Sequence, residues 1–298
     1  MKDKHQKLLT VLGPTASGKS ELAVQLAEQF NGEIISADSR QVYKHLNIAT
    51  GKITKDEMCG VPHHLLDVVE PTEVFSVVDF KEHADKAIQT IHANNKLPIL
   101  AGGTAFYIDA VVDNVVLSGV PANEVLRNKL EEKTTEELIA KLEELDVKRL
   151  QEIDTNNRVR LIRSIEIATT IGKVPKVEKN PQYDSLKIGI KISDEQLKAN
   201  IVRRTKARLT NGMIEEAQEL FEKHNVRYER MEQLGLEYKF LSHYLQKKIT
   251  IQELEEKIIT GDWQYAKRQM TWWKKDTEIV WVSLDDAEDI DRVVENWI

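Results

Sequence analysis

Two kinds of hydrophobic pattern alternate along the first third of the chain. "KLLTVLG" (7–13), "EIISADS" (33–39) and "LPILAGGT" (97–104) are short, nearly unbroken apolar runs, each stopped by glycine or small polar residues. Such runs mark strands buried on both faces. Between the first two, Leu22, Leu26 and Phe30 fall four apart with Ala23 and Ala27 beside them, which is one apolar face of a helix. Ser76 followed by Asp79 forms the pattern of a capping box and opens a helix through "VVDFKEHADKAIQTIHANN". Strand, helix and strand at this spacing predict a right-handed parallel α/β sheet whose functional loops lie at the carboxyl ends of the strands.

The pattern changes between Val120 and Val174. Three charged amphipathic stretches, 121–132, 134–145 and 157–172, read as helices, the last stopped by Gly172, with no strand signal among them. "SLKIGIKIS" (185–193) restores a strand, and Ser193 with Gln196 suggests another capping box. Helices are expected onward to about 275, and "EIVWVSL" (278–284) reads as a last strand. The simplest organisation is an α/β core over 1–118 and 182–298, interrupted by an all-helical insertion over 119–181.

Composition narrows the classes. Of 298 residues, 41% are hydrophobic and 31% charged, which is ordinary for a globular chain. The one cysteine, Cys59, excludes a disulfide framework and a cysteine-based zinc site within the chain. No apolar run approaches the roughly 18 residues of a membrane span. The polar N-terminus lacks the apolar core of a signal peptide, so a cytoplasmic location is expected. The formal net charge of −7 argues against a globally basic nucleic-acid binder. The acid, however, is concentrated in 123–146 and 283–297, and a phosphate backbone is bound by a local patch.

"GPTASGKS" (13–20) carries the candidate chemistry. It satisfies the phosphate-loop pattern at Gly13, Gly18, Lys19 and Ser20, between a strand and a helix. Backbone N–H groups of such a loop point into one concavity, Lys19 would reach the terminal phosphates, and the Ser20 hydroxyl would sit on Mg²⁺. The usual companion is missing: the third strand ends "LAGGT" without an acid. Asp38, ending the second strand, is the carboxylate nearest in sequence. Magnesium ligand, catalytic base and simple turn residue all stay open for it.

Several stretches then coincide in order: "GPTASGKS", "ISADSRQVY", "LAGGTAFYIDA", "RVRLIRSIEI", "NGMIEEAQEL" and "YAKRQMTWW". Together, over essentially the whole length, they resemble the tRNA dimethylallyltransferases, also called tRNA isopentenyltransferases. The resemblance implies a P-loop NTPase-like fold whose loop holds dimethylallyl diphosphate by its diphosphate, with Gly13, Thr15, Ala16, Ser17, Gly18, Lys19 and Ser20 as the cradle and Mg²⁺ as cofactor. It implies Asp38 as the base, Thr104 near the reacting centre and Arg204 on the diphosphate. A further arginine common in the family is replaced here by Asn200. "AF" at 105–106 stands where the family often has Gly-Leu, and "LGLEYKFL" (234–241) departs from the commoner form of that segment.

Three basic clusters stand out against the acidic total: Arg158, Arg160 and Arg163; Arg203, Arg204, Lys206 and Arg208; and Lys267, Arg268, Lys274 and Lys275, interleaved with Trp263, Tyr265, Trp272 and Trp273. Basic residues mixed with aromatics suit an RNA loop, although core packing is the expected role of at least two of the four aromatics. The resemblance implies that a tRNA anticodon stem-loop meets Asp38, Ser39, Arg40, Gln41, Thr104, Arg127, Val159, Arg160, Arg163, Lys267, Arg268 and Gln269. The expected activity is transfer of a dimethylallyl group to N6 of the adenosine 3′ of the anticodon, by a monomer. Prenylation of free adenine nucleotides, a nucleotide kinase and a non-catalytic RNA-binding module are the rivals.

Overall fold

A computed structural model describes residues 6–115, 118–176 and 178–298. The polar opening residues 1–5 lie outside the described residues, as do 116 and 117 beside the expected start of the insertion and 177 within it. The chain divides into two compact units, Met1–Asn114 with Pro181–Ile298, and Val115–Asn180.

In the first unit the expected strands become β1 (Gln6–Leu12), β2 (Gly32–Ala37), β4 (Leu97–Gly102), β5 (Tyr183–Ile190) and β6 (Ile279–Val282), with a two-residue β3 (His63–His64) too short to carry a sequence pattern. All pair in parallel in the order β3-β2-β4-β1-β5-β6. The runs are continuous because both faces are covered. On one face Leu8, Leu12, Ile35 and Leu100 pack against α2 (Val77–Ala93) and α3 (Ala105–Val112). On the other Leu9, Val11, Ile34 and Ile99 pack against α1 (Lys19–Gln29) and, at the far end of the chain, Ile290 and Val294 of α12 (Ala287–Trp297). The acidic composition of 283–297 had hidden that last helix, whose buried stripe is only a few residues wide.

The Ser76–Asp79 capping box at the start of α2 is complete. The one expected at Ser193 is half made. Ser193 Oγ accepts from the Gln196 amide at 3.1 Å, but the Gln196 side chain reaches forward to Asn200 at 3.0 Å. Ser193 opens α7 (Asp194–Thr210), followed by α8 (Met213–Glu222), α9 (Tyr228–Leu234), α10 (Leu236–Leu245) and the long α11 (Ile251–Trp273). Met213, Ala217, Tyr238, Leu241, Leu254 and Ile258 of these helices enclose Val42, Tyr43 and Leu46, which fixes the segment after β2. Among the described residues no helix is long and apolar enough to cross a membrane.

The second unit consists of α4 (Glu124–Glu131), α5 (Thr135–Glu152) and α6 (Arg158–Ile171). It has its own core of Leu130, Leu138, Leu142, Leu161, Ile162 and Ile165. Glu166 is fully buried beneath it. Arg127 clamps this carboxylate with Nε at 3.0 Å and Nη2 at 2.8 Å, Arg163 pairs with it as well, and the Asn123 amide donates to it. Burial pushes the Glu166 carboxyl up, but Arg127, Asn123 and Arg163 outweigh it and hold it at about 2. So small a core has little redundancy. Leu161→Ala is expected to destabilise this unit by about 2–5 kcal/mol. The check is the urea midpoint of far-ultraviolet dichroism, and a shift of well under 1 kcal/mol would contradict the packing described.

Candidate functional site

The site forms where β1, β2 and β4 end side by side. Gly13–Ser20 turns sharply between β1 and α1, with Ala16 (φ 63°) and Gly18 (φ 94°) in left-handed conformations and the Ser17 amide donating to the Pro14 carbonyl at 3.2 Å. A side chain on Gly13 would collide with Ser17 Oγ, 2.7 Å from where its Cβ would stand. Ser17 is only 2% exposed, and its hydroxyl has no partner among the described residues. Gln269 of α11 closes the arrangement. Its Oε1 accepts from the Thr15 amide at 2.9 Å, and its Nε2 donates to the Gly103 carbonyl at 2.7 Å. One side chain thus joins the phosphate loop to the end of β4. Across the loop, Asn200 Nδ2 donates to the strained Ala16 carbonyl at 3.0 Å.

Asp38 and Thr104 lie at the neighbouring strand ends. Asp38 Oδ1 accepts from the amides of Arg40 (2.8 Å) and Gln41 (3.3 Å), so the turn role is real and occupies one oxygen. Oδ2 has no hydrogen bond among the described residues. The Thr104 amide donates to the Ala37 carbonyl at 3.1 Å, and Thr104 Oγ1 accepts from the Ser39 amide at 3.0 Å. That leaves the Thr104 O–H to donate elsewhere. Gly102 allows the approach, since a Cβ there would strike the Ala37 backbone. Tyr265 reaches the Gly103 carbonyl at 3.4 Å. Burial and then Asp38 push its phenol up to about 12, with a hydrogen bond to Thr104 acting the other way.

Cations face these acceptors. Lys19 keeps part of its surface open, but its ammonium lies deep. Burial first, then Arg204, bring it down to about 8, while Asp38 works in the opposite direction. Burial and Arg208 lower Arg204 to about 10. The basic cluster on α7 therefore splits: Arg204 and Arg208, one turn apart, are turned inward, whereas Arg203 and Lys206 are exposed.

The expected RNA contacts fall into three groups. Asp38, Ser39, Arg40, Gln41 and Thr104 line the strand ends just described, where Gln41 Nε2 donates to the Gly51 carbonyl at 3.3 Å. Lys267 and Arg268 are exposed on α11, lying over the rings of Trp263 (5.5 Å) and Tyr265 (5.8 Å). Gln269 is 4% exposed, with both ends of its amide engaged inside the protein. In the second unit Val159 is 73% exposed and Arg160 is exposed beside it, while Arg127 and Arg163 hold Glu166. Trp273 is core, and Trp272 donates its indole N–H to Asp109 at 2.7 Å.

Comparison with known proteins meets this geometry directly. A family model described as IPP transferase matches residues 41–276. The chain belongs to the IPP transferase family. A relative named tRNA dimethylallyltransferase from Caldanaerobacter subterraneus subsp. tengcongensis is 39% identical, with 97% of this chain and 96% of the relative covered. The crystal structure of a full-length tRNA isopentenylpyrophosphate transferase from Bacillus halodurans superposes with a TM-score of 0.74 at 34% identity, covering 99% and 97% of the two chains. A eukaryotic dimethylallyltransferase, described as acting on tRNA, gives 0.81 at 27% identity over 96% of this chain and 76% of its own.

Membership supports a parallel α/β core of the P-loop type. The sequence had not singled out Glu237 and Asp262, two buried acids behind the α7 arginines. Their only signal was a charge at an apolar helical position. An expected outcome follows from Lys19. A bound diphosphate favours its charged form, so above about pH 8 binding must take up a proton. Affinity for inorganic pyrophosphate should then fall toward tenfold per pH unit above 8, with no slope from Lys19 below it. Calorimetry from pH 7 to 9.5 reads this, and Lys19→Met should remove the slope along with most of the affinity.

Proposed function

We propose that this chain transfers the dimethylallyl group of dimethylallyl diphosphate to N6 of the adenosine immediately 3′ of the anticodon in tRNA, releasing diphosphate, as a cytoplasmic monomer. The observation that carries the reading is the juxtaposition of a phosphate loop with Asp38 and Thr104, where a kinase would need an acid at the end of β4. The relatives' names supply the acceptor class.

The loop amides, Lys19 and Arg204 surround the place where negative charge grows as the allylic C–O bond breaks. Fixed donors in a buried site are worth far more there than in water. The unpartnered Ser17 hydroxyl suits a phosphate oxygen. The residues also fit Mg²⁺ held chiefly through the donor: Ser20 is exposed at the first turn of α1, Asp38 lies close enough to Lys19 to act on its charge, and the described residues contain no all-protein metal cage. Mg²⁺ would add positive charge at the departing diphosphate. Asp38 Oδ2 takes the proton of the adenine amine as the C–N bond forms, while the Asx turn through Oδ1 fixes the direction of the carboxylate. Thr104 and Tyr265 orient the flipped base. Extruding that base costs a few kcal/mol, least where stacking is already broken.

On the RNA side, Lys267, Arg268 and Arg160 supply phosphate contacts, and Ser39, Arg40 and Gln41 line the entry. Arg127, Arg163 and Gln269 act mainly by holding the structures that present them.

The direct test is mass analysis of tRNA adenosines after incubation with the donor and Mg²⁺. A gain of one dimethylallyl group is expected, and turnover of free AMP without turnover of tRNA would overturn the reading. Asp38→Ala should lower kcat by about 10²–10⁴-fold with little change in affinity for either substrate. Arg160→Gln or Lys267→Gln should weaken tRNA alone and flatten its salt dependence by about one unit each.

A further inference from the structure

We propose that Arg208, held by the buried Glu237–Asp262 pair, is a third cation of the diphosphate site beside Lys19 and Arg204. We further propose that it helps the site distinguish a diphosphate from a single phosphate. The inference rests on the diphosphate reading of the loop.

The geometry comes from α7 and the turn at Gly51. Residues 204 and 208 share one helix face, and both guanidinium groups converge above the Gly51 α-carbon. Arg204 Nη2 is 2.8 Å from where a Gly51 Cβ would stand, and Arg208 Nη2 is closer still. Gly51 (φ 60°) is therefore doubly required, and its carbonyl is fixed by Gln41 from the Asp38 turn. The Arg208 side chain is only 11% exposed. Its Nη1 donates to Glu237 Oε1 at 3.3 Å, long for a charge-assisted bond, and its other N–H groups make no hydrogen bond among the described residues.

The charges facing this point do not balance. Lys19 comes from the loop, and Arg204 and Arg208 from α7. Against them stand Asp38 after β2, Glu237 on α10 and Asp262 on α11. Glu237 and Asp262 are each 7% exposed and hydrogen-bond one another. Two carboxylates brought together in a buried place disfavour each other's charged form. Burial and Asp262 accordingly raise Glu237. Glu57 lies on the exposed rim, bonded to Thr54. Three inward cations thus meet Asp38 and a pair of acids whose full ionisation burial opposes. A buried surplus of this kind is matched by an incoming anion. The loop and Lys19 suit one phosphoryl group, and two planar guanidinium forks suit the other.

Calorimetry with inorganic pyrophosphate and with orthophosphate separates the possibilities. Arg208→Gln should weaken pyrophosphate by about tenfold to a hundredfold, as expected for losing a charge-assisted contact. Orthophosphate should change much less, and affinity for an anticodon stem-loop RNA should stay the same. Arg208→Gln leaves Glu237 buried without its cation, so the double variant Arg208→Gln, Glu237→Gln is measured too. It removes the orphaned charge, and the pyrophosphate loss should persist. Recovery of wild-type pyrophosphate affinity in the double variant would make Arg208 merely a counter-ion and overturn the proposal. So would an equal loss for pyrophosphate, orthophosphate and RNA. A wild-type protein that failed to bind pyrophosphate, or bound it independently of Lys19, would sink the cradle reading itself before any Arg208 variant is made.

Discussion

The constraint behind this molecule is that several cations are held close together and largely out of water. Like charges repel, and burial disfavours each of them. Both effects appear in the lowered Lys19 and Arg204. Such an arrangement persists only if the framework is stiff enough to oppose its relaxation. The parallel sheet provides that stiffness. Its central strand β1 is paired along its length with β5 on one side and with β4 on the other, so the loop leaving it starts from a fixed point.

Stiffness alone does not aim the groups. Gln269 joins the phosphate loop to β4, the Gly102–Ala37 contact brings the ends of β4 and β2 together, and Thr104 fastens Ser39. The Gln269 and Thr104 links each use backbone groups just past a strand end, which the sheet ladder no longer satisfies. The hydrogen bonds that complete the backbone are therefore the same ones that place the loop, Asp38 and Thr104 relative to one another. Chemistry and folding share these contacts, so a substitution at Gln269 disturbs both.

What was legible in the sequence follows from this. Long periodic elements were: the buried strands, α1, α2 and the three insertion helices all occur where apolar spacing put them. The phosphate loop and Asp38 were legible because glycine and strand-end positions are tied to local backbone geometry. α3 was not, because "AFYIDAVV" is apolar all round and shows no period. α12 was masked by its acidic exposed face, and β3 by its two-residue length. The Ser193 box came out half made because Asn200 offered Gln196 a competing partner that local pattern rules do not contain. Glu237, Asp262 and the inward turn of Arg208 depend on α7, α10 and α11 meeting in space. No spacing within one helix encodes that.

The arginines of the helical unit show why a basic residue and an RNA contact are not interchangeable descriptions. Arg127 directs Nε and Nη2 at Glu166, and Arg163 divides its fork between Glu166 and the Val120 carbonyl. Each guanidinium carries five N–H groups, so this pairing leaves edges that can still meet a phosphate. Removing either one, however, strips a fully buried carboxylate of a partner, a change that typically costs several kcal/mol. Arg160, exposed and without a side-chain hydrogen bond among the described residues, carries no such second duty. A loss of RNA affinity at Arg160 can therefore be assigned to the contact. The same loss at Arg127 or Arg163 would report first on whether α4 and α6 still hold together.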